Sequence, residues 1–570
     1  MTYDMVVRNG LVVDGSGMAS FRADVGVKGG RITKIGRIGE RGTEEIDADG
    51  HIVTPGFIDG HTHMDAQIHW DPLGTSSSWN GVTSVVMGNC GFTIAPCAAK
   101  DAQLVMMNLE RAEDISRAAM SEGIRWSWET FPQYMDMLQR LPKGINYATY
   151  IGHSALRTWA MGERAFEQEA SEHDLARMEA QLREAMNAGA VGFSTSRSAS
   201  HETTDGRRVA SRVASWGEVR RLVNAMGSMG GGVFELAKEN ATNSSDPAER
   251  RESLDRMQNL AVESGVVTMA GIQPSFEREA WQDQLAMLDR TAAQGGCMLG
   301  QSHTRGVTVM TSFMTTLPFD RIPQWREFRC KPLEEQKRLL RDPQVRAGLV
   351  HAAQHGDYGR AIGAEAKKPN WKRMRVLRDM VMPNPTIGEL VAKTGQDPVD
   401  LMIELSLEHD FNLFFVENTG VAIIEPKDLL EVMKHPRTLM TFSDSGAHVS
   451  QIADSSIQVH LLSYWTRECK AFTLEEAVRM VTFAPARAWG FHDRGLLREG
   501  MMADLNVIDY QKLAAQYPQV SYDLPAGARR LTQHSQGIRA TVVAGKTLFR
   551  DGVHTGALPG QLLRGALYTN

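Results

Sequence analysis

Thr54-Pro55-Gly56-Phe57-Ile58-Asp59-Gly60-His61-Thr62-His63 decides how the rest of the chain is read. Thr54 to Asp59 has the composition of a short apolar strand opened by Pro-Gly, and Gly60 closes it. A His-x-His pair follows at once. Side chains two apart on a strand point the same way, so His61 and His63 can offer two imidazoles to one metal ion. Most neighbouring histidine pairs do no such thing. This one counts because it ends a strand and runs on into Met64-Asp65-Ala66-Gln67.

With 570 residues, the chain exceeds one ordinary hydrophobic core, and more than one domain is expected. Hydrophobic residues at 42% and charged residues at 23% fit a globular protein. A formal net charge of -6 gives no footing for nucleic acid or an anionic membrane as partner. Met1-Thr2-Tyr3-Asp4-Met5 lacks the basic start and long apolar run of a signal peptide, and no apolar stretch is long enough to span a bilayer. The five cysteines are few and scattered, which argues against a disulfide scaffold and for a reducing compartment. A cytoplasmic location is expected.

From residue 1 to about 55, short alternating runs such as Tyr3 to Val7, Leu11 to Val13, Ala23 to Val27 and Arg31 to Gly36 are separated by glycine turns. A matching stretch fills 489–570, including Ala503-Asp504-Leu505-Asn506-Val507-Ile508 and Ile538 to Lys546. Two β segments at opposite ends of a chain are expected to pair into one small domain.

Between them, residues 56–488 alternate strand-like runs with longer helical patterns, the mark of βα units on a parallel sheet. After the opening strand come Ser84–Gly88, Asn146–Gly152, Ala190–Ser194, Gly232–Leu236, Gly265–Met269, Met298–Gln301 and Thr438–Phe442. That makes eight, the number a (β/α)8 TIM barrel requires. The last two are separated by residues from about 304 to 437, too many for a connection, so an inserted subdomain is expected there. The expected fold is therefore α/β: a barrel, a small β-sandwich made from both chain ends, and an insert between the seventh and eighth strands.

Chemistry in such a barrel sits at the C-terminal tips of the strands. Those tips present His61, His63, Cys90, His153 with Arg157, Glu235, His303 with Arg305, and Asp444 with His448. Singly, each has a plain structural reading, a satisfied loop histidine or a small buried thiol. Glu235 is different, because a carboxylate inside an apolar strand is costly without a partner or cation.

Gly81 to Phe92, with Asn89-Cys90-Gly91 at its end, Trp126 to Phe131, Gly152 to Arg157, Gly189 to Thr195, Ser443-Asp444-Ser445-Gly446-Ala447-His448 and Asp523 to Arg530 together resemble the amidohydrolase superfamily, in its N-acyl-D-amino-acid deacylase branch. The resemblance implies that Cys90 ligates metal and that Asp444 touches the metal and serves as general base. It also marks departures. Glu235 stands where the branch carries a histidine on the fifth strand, and Thr268 to Gln273 holds no ligand where it carries another. A lysine and an arginine that bind the substrate carboxylate in relatives are missing as well; Ala453-Asp454-Ser455-Ser456 occupies the second position. The missing lysine and arginine weaken the case for a free N-acyl-D-amino acid as substrate, while the expected activity stays N-acyl-D-amino-acid deacylase-like.

The resulting expectation is a hydrolase of an amide or cyclic amide. One Zn2+, or another divalent ion, would be held by His61, His63, Cys90, Glu235 and Asp444, with Asp444 as base. His303, His153 or His448 would stabilise the oxyanion, and Arg157 or Arg305 would take an anionic group. The partner would be a small molecule, and self-association stays open. Two other readings remain: ester or C–C hydrolysis on the same scaffold, and a metal-free binding or assembly protein.

Overall fold

Eight parallel strands close into a barrel in chain order: β1 (Phe57–Asp59, resumed at His61–Thr62), β2 (Val82–Met87), β3 (Asn146–Thr149, resumed at Ile151–Gly152), β4 (Gly192–Arg197), β5 (Val233–Glu239), β6 (Val267–Gly271), β7 (Met298–Gln301) and β8 (Thr438–Leu439, resumed at Phe442–Ser445). β8 pairs with β1 through Phe442 opposite His61, which closes the ring. The computed structural model describes residues 3–275, 277–359, 366–380, 384–418 and 426–568.

Alternation along the strands sorts their side chains into two layers. Ile58, Val86, Ala148, Val233, Met269 and Leu439 meet inside the barrel, where Trp489 plugs the N-terminal end. Their neighbours Phe57, Val85, Phe193, Phe234 and Ala270 face outward into the helix layer. Glu235 therefore points inward, one step above Val233, toward the end where the catalytic tips gather. Gly60 interrupts β1 where Trp489 leaves no room; a Cβ there would lie 2.0 Å from the indole.

The helices that cover the barrel start on side-chain caps. Glu172–Asn187 begins with a reciprocal Ser171–Asp174 capping box, and Trp216–Gly227 begins with the Ser215 hydroxyl accepting from the Glu218 amide. Among the described residues, no helix is long and apolar enough to cross a membrane.

The two chain ends zip together: Leu505–Ile508 runs antiparallel to Ile52–Pro55, opposing Leu505 to Pro55 and Ile508 to Ile52. The strands form one nine-stranded sheet around a core of Met5, Val7, Val25, Val53, Leu505 and Val542. The edge strand Arg31–Gly36 curls back onto residues 500–501, with Ile32 donating to the Met501 carbonyl at 2.9 Å and Gly500 donating to that of Ile32 at 2.8 Å.

The insert has its own core of Phe313, Trp325, Phe328, Met374, Phe411 and Phe415, under a small antiparallel sheet of Thr308–Thr311, Arg375–Leu377 and Phe414–Asn418. It is shorter than the expected 304–437. Helix Pro426–Lys434 buries Leu429, Val432 and Met433 in the barrel's outer layer and so belongs to the barrel. Residues 360–365, 381–383 and 419–425 of that span lie outside the described residues. The strand Thr308–Thr311 lies against the loop after β8, where the Met310 amide donates to the Gln451 carbonyl at 2.8 Å. The insert thus braces the loop that follows Asp444.

Candidate metal centre

His61 and His63 leave β1 with their ring centroids 5.4 Å apart, as their two-residue spacing requires. His61 stacks on Phe442 of β8 at 3.8 Å, and its Nδ1 lies 3.2 Å from Oε1 of Gln301 on β7. That contact directs His61 Nε2 toward Cys90 Sγ at 3.5 Å and Asp444 Oδ1 at 3.5 Å. His63 Nε2 is 3.1 Å from the same Asp444 oxygen. All four side chains are at least nine-tenths buried or close to it, at the C-terminal mouth of the barrel.

The backbone that presents these groups is held in uncommon conformations. Cys90 has φ 57°, Asp444 φ 59° and His448 φ 45°, all in the left-handed region that non-glycine residues enter at a cost. Surrounding contacts fix each one. The Cys90 amide donates to Glu235 Oε2 at 2.9 Å, the His63 amide to the Ser445 carbonyl at 2.8 Å, and the His448 amide to the Glu113 carbonyl at 2.5 Å.

These side chains suit a cation. Neither ring nitrogen of His63 has a hydrogen-bond partner, nor do Glu113 Oε1, Glu235 Oε1 and Asp444 Oδ1, although all are buried. Leaving so many buried polar atoms unpaired is costly unless something else binds them. His61 Nε2 lies 3.5 Å from both Cys90 Sγ and Asp444 Oδ1, and His63 Nε2 lies 3.1 Å from Asp444 Oδ1, each near the edge of a coordination tetrahedron, about 3.4 Å for bond lengths near 2.1 Å. His61, His63 and Cys90 place one donor atom each within 4.8 Å of one another.

Crowding shows in the protonation of the groups. Burial pushes the Glu235 carboxyl up to about 8 and pulls His61 down to about 4. Burial also works against charge on His63, but Glu113 and Asp444 outweigh it and lift the imidazole to about 9. Asp444 feels the converse: burial opposes ionisation, yet the nearby histidines, His63 foremost, hold the carboxyl below its usual range.

Glu235, also expected among the ligands, lies on the Nδ1 side of His61. Its Oε1 is 3.7 Å from His61 Nδ1, the ring atom facing away from the cluster, and its Oε2 is taken by the Cys90 amide. His448 does reach the centre, with Nε2 3.7 Å from Glu113 and 4.0 Å from Asp444. A cavity of about 310 Å³, lined in part by Arg111, His201, Arg321 and His448, opens beside it.

Four residues expected on the substrate side are engaged elsewhere. His153 has both ring nitrogens occupied, by Thr195 Oγ1 at 2.8 Å and Glu218 Oε1 at 2.8 Å. Arg157, fully buried, pairs with the other oxygen of Glu218 and donates to the Gln168 carbonyl at 2.7 Å. These two form an ion cluster between strand and helix layers. His303 Nδ1 accepts from the Arg305 amide at 3.1 Å and its Nε2 lies 3.4 Å from Asp454. Arg305 itself clamps Asp454 at 2.7 and 3.1 Å. That network fastens the tip of β7 to the loop after β8 and, through the Thr308 amide at 2.9 Å from Asp454, to the insert.

Two members of the centre escaped the sequence reading. Gln301 ends β7 as an ordinary polar residue, and only its contact with His61 marks it. Glu113 comes from the loop after helix Ala102–Glu110, away from any strand tip. Its alternation with apolar Ala112 and Ile115 carries no signal of a site.

Comparison with known proteins follows the same outline. The model of the family described as "Amidohydrolase family" matches residues 44–549, and that of the "Urease alpha-subunit, N-terminal domain" matches residues 1–56. An uncharacterised protein of Mycobacterium tuberculosis is 27% identical over 97% of this chain and 92% of its own length. A D-aminoacylase of Alcaligenes xylosoxydans xylosoxydans is 25% identical over 98% of this chain and 97% of its own. The solved N-acyl-D-glutamate deacylase of Bordetella bronchiseptica superposes with a TM-score of 0.65 at 22% identity, covering 99% of this chain and 100% of that one.

Proposed function

The chain belongs to the amidohydrolase family and is a hydrolase of carbon–nitrogen bonds other than peptide bonds, and from that premise we propose that it cleaves an N-acyl amide or cyclic amide with one zinc ion held by His61, His63 and Cys90 beside Asp444. The close approach of His61 Nε2 to Cys90 Sγ and Asp444 Oδ1, and of His63 Nε2 to Asp444 Oδ1, carries the reading. The Bordetella deacylase was solved with zinc and a phosphonate mimic of its tetrahedral intermediate, which supports zinc as the ion.

A bound divalent cation would polarise the scissile carbonyl and acidify the attacking water. Its histidine neighbours favour the ionised form of Asp444, which sits at the mouth with its side chain 12% exposed, so it can take a proton from that water and pass it to the leaving nitrogen. His448, 31% exposed and facing both Glu113 and Asp444, is the group placed to donate to the developing oxyanion. Glu235 and Gln301 do not meet substrate. They hold the Cys90 peptide and the His61 ring in place. The cavity beside His448 gives a small molecule access.

The test pairs turnover on a panel of N-acyl amides, cyclic amides, esters and diketones with zinc content. Amide or cyclic-amide turnover that disappears in Asp444→Asn while zinc is retained supports the reading; unchanged turnover in that variant overturns it.

A further inference from the structure

Arg111 directly follows helix Ala102–Glu110, at the start of the loop that carries Glu113. Its half-buried side chain lines the cavity of about 310 Å³ beside His448, and its Nε is buried with no hydrogen-bond partner. An arginine that merely covers apolar surface keeps its guanidinium in water. Burying one of its N–H groups unpaired is costly unless a ligand meets it. The loop is strapped to the segment after β8, which fixes where Arg111 stands. The Glu113 carbonyl accepts from the His448 amide at 2.5 Å, and Asp114 accepts from the Ser450 hydroxyl at 2.6 Å and from Gln451 Nε2 at 3.1 Å.

The carboxylates on the cavity wall are committed to other partners. Glu110 accepts from Arg117 Nε at 2.7 Å, and Asp114 is held by Ser450 and Gln451. Among the described residues no carboxylate pairs with Arg111. Arg157 and Arg305, the arginines expected to take an anion, are engaged by Glu218 and Asp454. We propose that Arg111 is a specificity-determining residue that takes a free carboxylate of the substrate, so that the substrates are amides or cyclic amides carrying such a group on the cavity side. The planar guanidinium fork matches a carboxylate in two parallel N–H···O bonds. A doubly charged phosphate fits less well, because Glu110 and Asp114 line the same cavity. The anion is thereby read from a loop between β2 and β3, away from the strand tips.

This inference rests on the reading that the site hydrolyses amides, and the experiment separates the two. It uses matched pairs of amides in which a methyl group replaces the carboxylate: N-succinyl against N-butanoyl anilides, and N-acetylated amino acids against N-acetylated alkylamines. The readout is the ratio of kcat/KM for the charged member over the neutral one. Wild type is expected to favour the charged member of at least one pair. Arg111→Gln is expected to lower that ratio about tenfold or more, chiefly through KM, and Arg111→Lys to restore part of it. Rising salt should raise the wild-type KM for the charged member, an effect that needs no variant. An unfolding midpoint near that of wild type reports that Arg111→Gln is folded; should it not fold, Arg111→Lys and the salt series decide. A ratio unchanged by Arg111→Gln, a wild type that favours the neutral member of every pair, or a collapse of the ratio in Arg321→Gln alone would overturn the proposal. If no amide is turned over, the amide reading fails, and calorimetric titration with succinate decides the inference. Binding about tenfold weaker in Arg111→Gln supports it; equal binding, or none by wild type, overturns it.

Discussion

The Glu235 carboxylate accepts the backbone N–H of Cys90 at 2.9 Å and reaches His61 from the side opposite Asp444. In the proposed site, an acid inside the barrel thus fixes two of the groups that would face the cation without joining them. Glu235→Ala is expected to lower zinc affinity by about 10–100-fold while saturating zinc still gives the wild-type stoichiometry. Titration with a competing chelator measures both; loss of the ion at saturation would make Glu235 a ligand.

In the proposed mechanism Asp444 carries the proton transfer. Asp444→Asn should cut turnover by about 10²–10⁴-fold. The asparagine keeps an oxygen toward His63, so zinc content should stay near that of wild type. Steady-state rates and elemental analysis on the same preparation check the two halves.

His153, Arg157 and Glu218 are expected to act on stability and not on substrate. Glu218→Gln leaves the buried Arg157 guanidinium without its counter-charge, and breaking such a pair costs about 3 kcal/mol or more. Denaturant titration should show that loss while KM stays unchanged. A raised KM with normal stability would return these residues to the substrate side.

Much of this was legible in the sequence because strand tips are marked by local pattern. His61-Thr62-His63 and Ser443-Asp444-Ser445 end apolar runs, and alternation places Glu235 inside. Cys90 was found through its surrounding motif. What was not legible depended on partners far along the chain. His153 looked like a rim residue until Glu218, 65 residues on, took its ring. His303 and Arg305 were claimed by Asp454 across about 150 residues. Glu113 sits in a loop whose place over the mouth is set by contacts with residues 448–451, and no periodicity encodes that. The β domain was legible as two strand-rich ends; its curl into one sheet depends on the edge strand at Arg31–Gly36 meeting residues 500–501.

Acid stability has a component away from the centre. Hydrogen bonds from Arg164 first, then from the Ser171 hydroxyl and amide, hold the Asp174 carboxyl well below its usual range. A depressed folded-state value stabilises the fold above the unfolded value, about 3.9, and that contribution fades as pH falls through the folded value. Arg164 is half-exposed, so the ion pair contributes no more than about 1 kcal/mol. Asp174→Asn should therefore lower stability near neutral pH, and the gap from wild type should narrow below about pH 4, as urea titrations at several pH values would show.

In the proposed site a cation is held at the end of β1. That is tested most directly by zinc content of purified wild type and His63→Ala after equilibration with a slight excess of zinc and removal of the unbound ion. About one zinc per wild-type chain, with a large loss in His63→Ala, is the result this geometry predicts. A wild type that retains no zinc, or a His63→Ala that retains as much, would contradict it.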